Sequence, residues 1–127
     1  MVRKLTLCAL VAFALGACAP QGMYLWGDYE DRLYSYYEDP EKIEELMKAL
    51  ESTIVNAEES KRVPPGIFAE YGYLLLVRSR DDEAIAYFKK EKDAWPESVI
   101  LMDKMIAVVE AKKERGEPSG ESGSGAE

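Results

Sequence analysis

The chain has 127 residues, with 24 acidic and 16 basic side chains, no histidine and two cysteines. A net charge of -8 argues against nucleic acid and anionic lipid surfaces as partners, because both repel an acidic surface. The absence of histidine excludes imidazole bases and imidazole metal sites, leaving carboxylates, lysines and tyrosines as acid–base candidates.

Residues 1–17 are built as a secretory signal. Arg3 and Lys4 form the positive start, Leu5 to Leu15 the apolar middle, and Gly16-Ala17 the small-residue end. The middle is shorter than the roughly 20 residues a spanning helix needs. Leu15-Gly16-Ala17-Cys18 resembles the lipobox of bacterial lipoproteins, where small residues precede a cysteine that receives a diacylglyceryl group. The resemblance implies that Cys18 becomes the lipidated first residue of the mature chain, which meets the membrane through that lipid. Several acyl chains anchor firmly, since each buried methylene adds about 0.8 kcal/mol and one chain alone holds only marginally. Removing Arg3 and Lys4 leaves 24 acids against 14 bases, a net charge of -10. Losing Cys8 and acylating Cys18 leaves no thiol for disulfides or metal. Ala19 follows Cys18, not the aspartate of an enteric inner-membrane retention signal, so the expected address is the periplasmic face of the outer membrane. Plain secretion with a free thiol is the competing reading.

After a tether over residues 18–23, the segment from Tyr24 to Tyr37 holds six of the chain's thirteen aromatics. Tyr29, Leu33 and Tyr36/Tyr37 recur at helical spacing from Asp28 onward, and Gly27 supplies the freedom to turn into that helix. Asp39-Pro40 restarts the chain with a cap and a first-turn proline. Ile43, Leu46, Met47, Leu50, Ile54 and Ala57 then line one face as far as Glu59, with Glu44 and Lys48 spaced to pair outside. Lys61-Arg62-Val63-Pro64-Pro65-Gly66 breaks this helix, and a third carries Ile67, Phe68, Tyr71, Leu74 and Leu75. Arg80-Asp81-Asp82 reads as a capped turn before a fourth helix, Glu83 to Ala94, with Ala84, Ile85, Phe88 and Trp95 inward. Pro96 stops it, and Ser98 is placed to cap a fifth helix from Val99 to Lys113. No stretch alternates as strands do. The expected fold is all-α, about five helices in antiparallel hairpins over residues 24–113, followed by a disordered acidic Gly/Ser tail over 114–127.

From Pro65 to Pro96, Phe68, Gly72, Ala84 and Phe88 fall where one tetratricopeptide repeat places them, so this stretch resembles that repeat. The likeness implies close helix approach at Gly72 and Ala84. Tyr71 and Glu91 depart from it, standing where leucine and alanine are usual. One repeat does not bury its own faces, so the flanking helices must complete the core. The stretches Tyr24-Leu25-Trp26-Gly27-Asp28-Tyr29, Leu33-Tyr34-Ser35-Tyr36-Tyr37, Val63-Pro64-Pro65-Gly66 and Trp95-Pro96-Glu97-Ser98 are also similar to a bacterial lipoprotein family, domain of unknown function DUF4810. That resemblance implies a small envelope lipoprotein acting beside other lipoproteins, among them one like the curli secretion channel. It supplies no catalytic residues.

Two surfaces stand out as interaction candidates. In the aromatic segment, Tyr24, Trp26, Tyr34 and Tyr36 offer flat faces and polar tips to a glycan, a peptide or the headgroup zone. Against this, Trp26, Tyr29, Leu33 and Tyr37 are spaced to pack on the Pro40–Glu59 helix, leaving Tyr24, Tyr34 and Tyr36 reachable. In the last helix the apolar arc approaches 180°, wider than the ~100° a core-facing stripe requires. Leu101, Met105 and Val108 are therefore expected to meet a partner protein or a second copy, unless the aromatic segment folds back over them. The acid pairs Glu44/Glu45, Glu58/Glu59 and Asp81/Asp82 point apart on helices or caps and make poor catalytic dyads. Asp28, Glu30 and Asp31 lack calcium-loop spacing. No catalytic constellation, metal site or cofactor motif is visible. The function expected is a non-enzymatic adaptor in an envelope assembly, with a pilotin-like assembly factor and a peptidoglycan- or glycan-binding lipoprotein as alternatives.

Overall fold

Five α-helices follow one another in the computed structural model, which describes residues 22–116. They are α1 (Tyr29–Glu38), α2 (Ile43–Ser60), α3 (Ile67–Val77), α4 (Asp81–Ala94) and α5 (Val99–Glu114), with short 3-10 turns at Pro40–Lys42 and Pro96–Ser98. The described residues contain no strand, as the sequence led us to expect. The signal, Cys18, residues 19–21 of the tether and the tail from residue 117 lie outside the described residues.

Each helix packs mainly on its neighbours in the chain: α1 on α2, α2 on α3, α3 on α4 and α4 on α5. The helices thus form a row in chain order, with α1 and α5 at its ends. A single core runs through the row. The apolar stripe of α2 buries as its spacing requires, with Leu46 and Leu50 fully enclosed. Each such leucine contributes about 1.5–3 kcal/mol.

The tightest contact is in the α3–α4 hairpin. A Cβ on Gly72 would lie 2.8 Å from Cε1 of Phe88 and 3.3 Å from the Ala84 carbonyl oxygen. Phe88 is itself buried, so the helices approach this closely only because residue 72 has no side chain.

Several local expectations are corrected. Asp39 does cap, accepting the Glu41 amide at 3.2 Å, but Pro40–Lys42 form a 3-10 turn and α2 begins at Ile43. Asp81 and Asp82 lie within the first turn of α4, where carboxylates suit the positive end of the helix dipole, and do not form a separate turn. Glu44 turns away from Lys48 to the Arg78 guanidinium, whose Nε lies 2.7 Å from it. Ser98 does not cap α5; its hydroxyl donates to Glu91 Oε1 at 3.2 Å.

The two departures from the repeat pattern are both buried and both hydrogen-bonded. The Tyr71 hydroxyl donates to Glu51 Oε1 at 2.9 Å, tying α3 to α2. Glu91, 1 % exposed, accepts the Gly66 amide as well as Ser98.

Candidate functional site

The first described residues form a strap across the domain. The Leu25 amide donates to the Arg62 carbonyl at 3.0 Å, and the Arg62 guanidinium donates to the Gly22 carbonyl. Gly27 then turns into α1 at a φ of +57°, where a Cβ would meet Thr53 Oγ1 at 2.8 Å. Glycine is required there twice over, by backbone conformation and by the close approach of α2. The Thr53 hydroxyl donates to the Trp26 carbonyl at 3.4 Å and holds the turn on α2.

The aromatic segment divides between core and surface differently from the spacing argument. Tyr29 is buried and stacks with Trp26 at 5.8 Å, and its hydroxyl donates to Glu70 on α3. Burial, followed by this hydrogen bond and the Glu70 charge, holds the Tyr29 hydroxyl protonated far above the ordinary tyrosine range. Burial and Glu51 do the same for Tyr71. Trp26 sits at the border of exposure, Tyr34 is exposed as expected, and Leu33 is half-buried. Tyr36 and Tyr37 exchange the places expected of them: Tyr36 packs against the core, whereas Tyr37 is exposed. A one-residue difference turns a helical side chain by about 100°, and the spacing of Leu33 alone does not choose between them.

Tyr24 is half-buried, its ring edge-on to Trp95 at 5.8 Å. The pair walls a groove of about 690 Å³ between the strap and the ends of α2 and α4, lined also by Phe68, Lys61, Arg62 and Lys90. Lys90 is already engaged, 3.0 Å from Glu58 and over the rings of Phe68 and Tyr87 at 5.4 and 5.2 Å. Sequence reasoning missed this groove, because its residues come from three separate segments and share no local spacing.

The second surface is the outer side of α5. Met102, Ile106 and Val109 face the core, and Met105 is half-buried against it. Met105 therefore does not stand in the open beside Leu101 and Val108. Those two are 59 % and 64 % exposed, so the aromatic segment does not fold back over them. Ile100, absent from the expected set, is the most exposed at 73 %. Its direction was legible: two residues before Met102, it points about 160° away from the core side. The last helix of the row thus carries Ile100, Leu101, Ala107 and Val108 outward, where a capping helix should be polar.

The acid pairs form no shared site. Glu44 bonds Arg78, Glu58 bonds Lys90 and Asp82 bonds Lys113, each pair dispersed into separate surface bridges. No helix among the described residues is long and apolar enough to cross a membrane.

A family model described as Domain of unknown function (DUF4810) matches residues 23–105. Its span takes in the strap, the aromatic helix and the core-forming hairpins, ending within α5. No curated protein and no solved structure matches.

Proposed function

Because the chain belongs to the family described as Domain of unknown function (DUF4810), we propose a function from its own surfaces: a non-enzymatic interaction adaptor in an envelope assembly, anchored by lipid on Cys18 at the periplasmic face of the outer membrane. The observation that carries this reading is the uncovered apolar side of α5. Ile100, Leu101 and Val108 are exposed together on one end helix and more fully than Val55, Tyr73 and Val77, the exposed large apolar side chains of α2 and α3. In stacked helical hairpins such a face is normally covered by the next helix. An acidic chain retains exposed leucine and isoleucine there because something else covers them.

The anchor half of the reading rests on Leu15-Gly16-Ala17-Cys18 and on the strap. The strap fixes residue 22 to the domain, and three residues separate it from Cys18. The four Cα–Cα steps from Cys18 to Gly22 reach at most about 14 Å, so the anchored domain stays close to the bilayer. Its partners on this reading are other envelope proteins, lipoproteins foremost, held within the same thin layer.

Two measurements test it together. Labelled fatty acid should enter the wild-type chain and not Cys18→Ser, which should leave the membrane fraction. A photo-crosslinker at position 101 should capture a protein in intact envelopes, while one at exposed Glu59 on α2 should not. Labelling of Cys18→Ser, or equal capture from both positions, contradicts the reading.

A further inference from the structure

The two end helices present faces that complement each other. On α1, a step of about 100° per residue puts Glu30, Asp31, Tyr34, Tyr37 and Glu38 on one side, opposite Tyr29, Leu33 and Tyr36 on the core side. Tyr34 and Tyr37 are 66 % and 86 % exposed, and the three acids make no ion pair among the described residues. On α5 the outward side holds Lys104 between Ile100, Leu101, Ala107 and Val108. Lys104 likewise makes no ion pair among the described residues. One end is therefore aromatic and acidic, the other aliphatic with a central cation.

A symmetric pairing of α5 with its own copy fits poorly. Antiparallel across a two-fold axis through the middle of this face, Ile100 meets Val108 and Leu101 meets Ala107, but Lys104 meets Lys104. Like charges facing each other in an apolar contact are disfavoured. The α1 face supplies the charges that Lys104 lacks. We infer that the α5 face is covered by the α1 face of a second copy of this chain, stacked head to tail. Lys104 sits among Glu30, Asp31 and Glu38, and the Tyr34 and Tyr37 rings lie over Leu101 and Val108.

Such a contact is heterologous, so each added copy leaves a fresh α5 face and the row of helices continues into the next molecule. It is also small. The α1 helix has 10 residues, a length of about 15 Å, and a contact one helix wide falls below the roughly 800 Å² per partner of stable soluble complexes. The association therefore belongs on the bilayer, where tethering two copies to one surface raises their effective concentration. The inference rests on the proposed anchored adaptor and names the partner its α5 face takes.

The test uses the full lipidated chain, purified and reconstituted in liposomes, with a photo-crosslinker replacing Tyr34. The expected product is a ladder of dimers and higher species whose linked peptide maps to residues 100–108 of another copy. Lys104→Glu should lower the crosslinked yield at least about tenfold, because it sets a fourth acid among three. Adding Glu30→Lys and Glu38→Lys to Lys104→Glu should restore it, since every joint regains opposite charges. All these positions are exposed, and thermal unfolding followed by circular dichroism checks that each variant keeps the fold. No crosslink in the wild type, links mapping outside α5, or a loss that the charge exchange does not restore overturns the inference. Continued capture of a different envelope protein from position 101 would then leave the adaptor reading standing and remove only the second copy as occupant.

Discussion

Glu91 Oε1 accepts the backbone amide of Gly66 at 2.8 Å. The bond crosses from α4 to the loop before α3, and the Ser98 hydroxyl reaches the same oxygen from the loop before α5. One buried carboxylate thereby joins Val63-Pro64-Pro65-Gly66 to Trp95-Pro96-Glu97-Ser98, two of the stretches on which the family resemblance rests. Gly66 has a φ of +87°, and its amide points inward where no helix turn accepts it. Glu91→Ala removes that acceptor and opens a cavity, for a loss of about 2–4 kcal/mol. Glu91→Gln keeps an acceptor oxygen of the same reach and changes only the atom at Oε2, which has no hydrogen-bond partner among the described residues. It should change stability by less than about 1.5 kcal/mol. Urea unfolding of the two variants checks the order.

The α3–α4 approach predicts a second-site rescue. Gly72→Ala should cost about 1–3 kcal/mol, because the new methyl overlaps the Phe88 ring and a buried ring has nowhere to move. Phe88→Leu on its own leaves a cavity. Combined, the two should lose less than the sum of the single losses, since each offsets the defect of the other. A double-mutant cycle from denaturant midpoints measures this coupling, and a strictly additive pair would mean that the helices part without strain.

High pH should reveal the two buried hydroxyls. Tyr29 and Tyr71 keep their protons in the folded chain beyond the range at which an unfolded tyrosine, near pH 10, gives its own up. Between those values the folded state holds more protons than the unfolded state, so stability falls as pH rises. The stabilising contribution is fully present below about pH 10 and is lost above it. The Tyr29→Phe/Tyr71→Phe variant, less stable at neutral pH for want of the Glu70 and Glu51 hydrogen bonds, should decline less steeply from pH 9.5 to 11 (about the range of free tyrosine). Unfolding midpoints at a series of pH values give both slopes.

Much of this fold is written locally. The stripes of α2 and α3 repeat at helical spacing with prolines between them, and those positions all bury. The close approach at Gly72 and Ala84 was legible through the resemblance to one tetratricopeptide repeat, and the Gly72–Phe88 and Gly72–Ala84 distances agree with it. What was not legible depends on side chains choosing among partners across the fold. Ser98 had the chemistry of a cap but found a buried carboxylate nearer, and Glu44 had a lysine one turn away but found an arginine on α3. The choice between Tyr36 and Tyr37 rests on where α1 crosses α2, which no periodicity within α1 encodes. On α5 the width of the apolar arc was visible, while the identity of its open side required the placement of Met105 and Ile100.

The uncovered side of α5 is tested most directly by the mass of the assembly that the chain forms in its own membrane. Complexes fixed by chemical crosslinking in the intact membrane, then extracted in detergent and sized by multi-angle light scattering, should exceed the monomer for the wild type. Leu101→Glu should return the protein to monomer size with its unfolding free energy within about 0.5 kcal/mol of wild type, as expected for an exposed position. An assembly of undiminished mass in Leu101→Glu would show that α5 is not the interaction face.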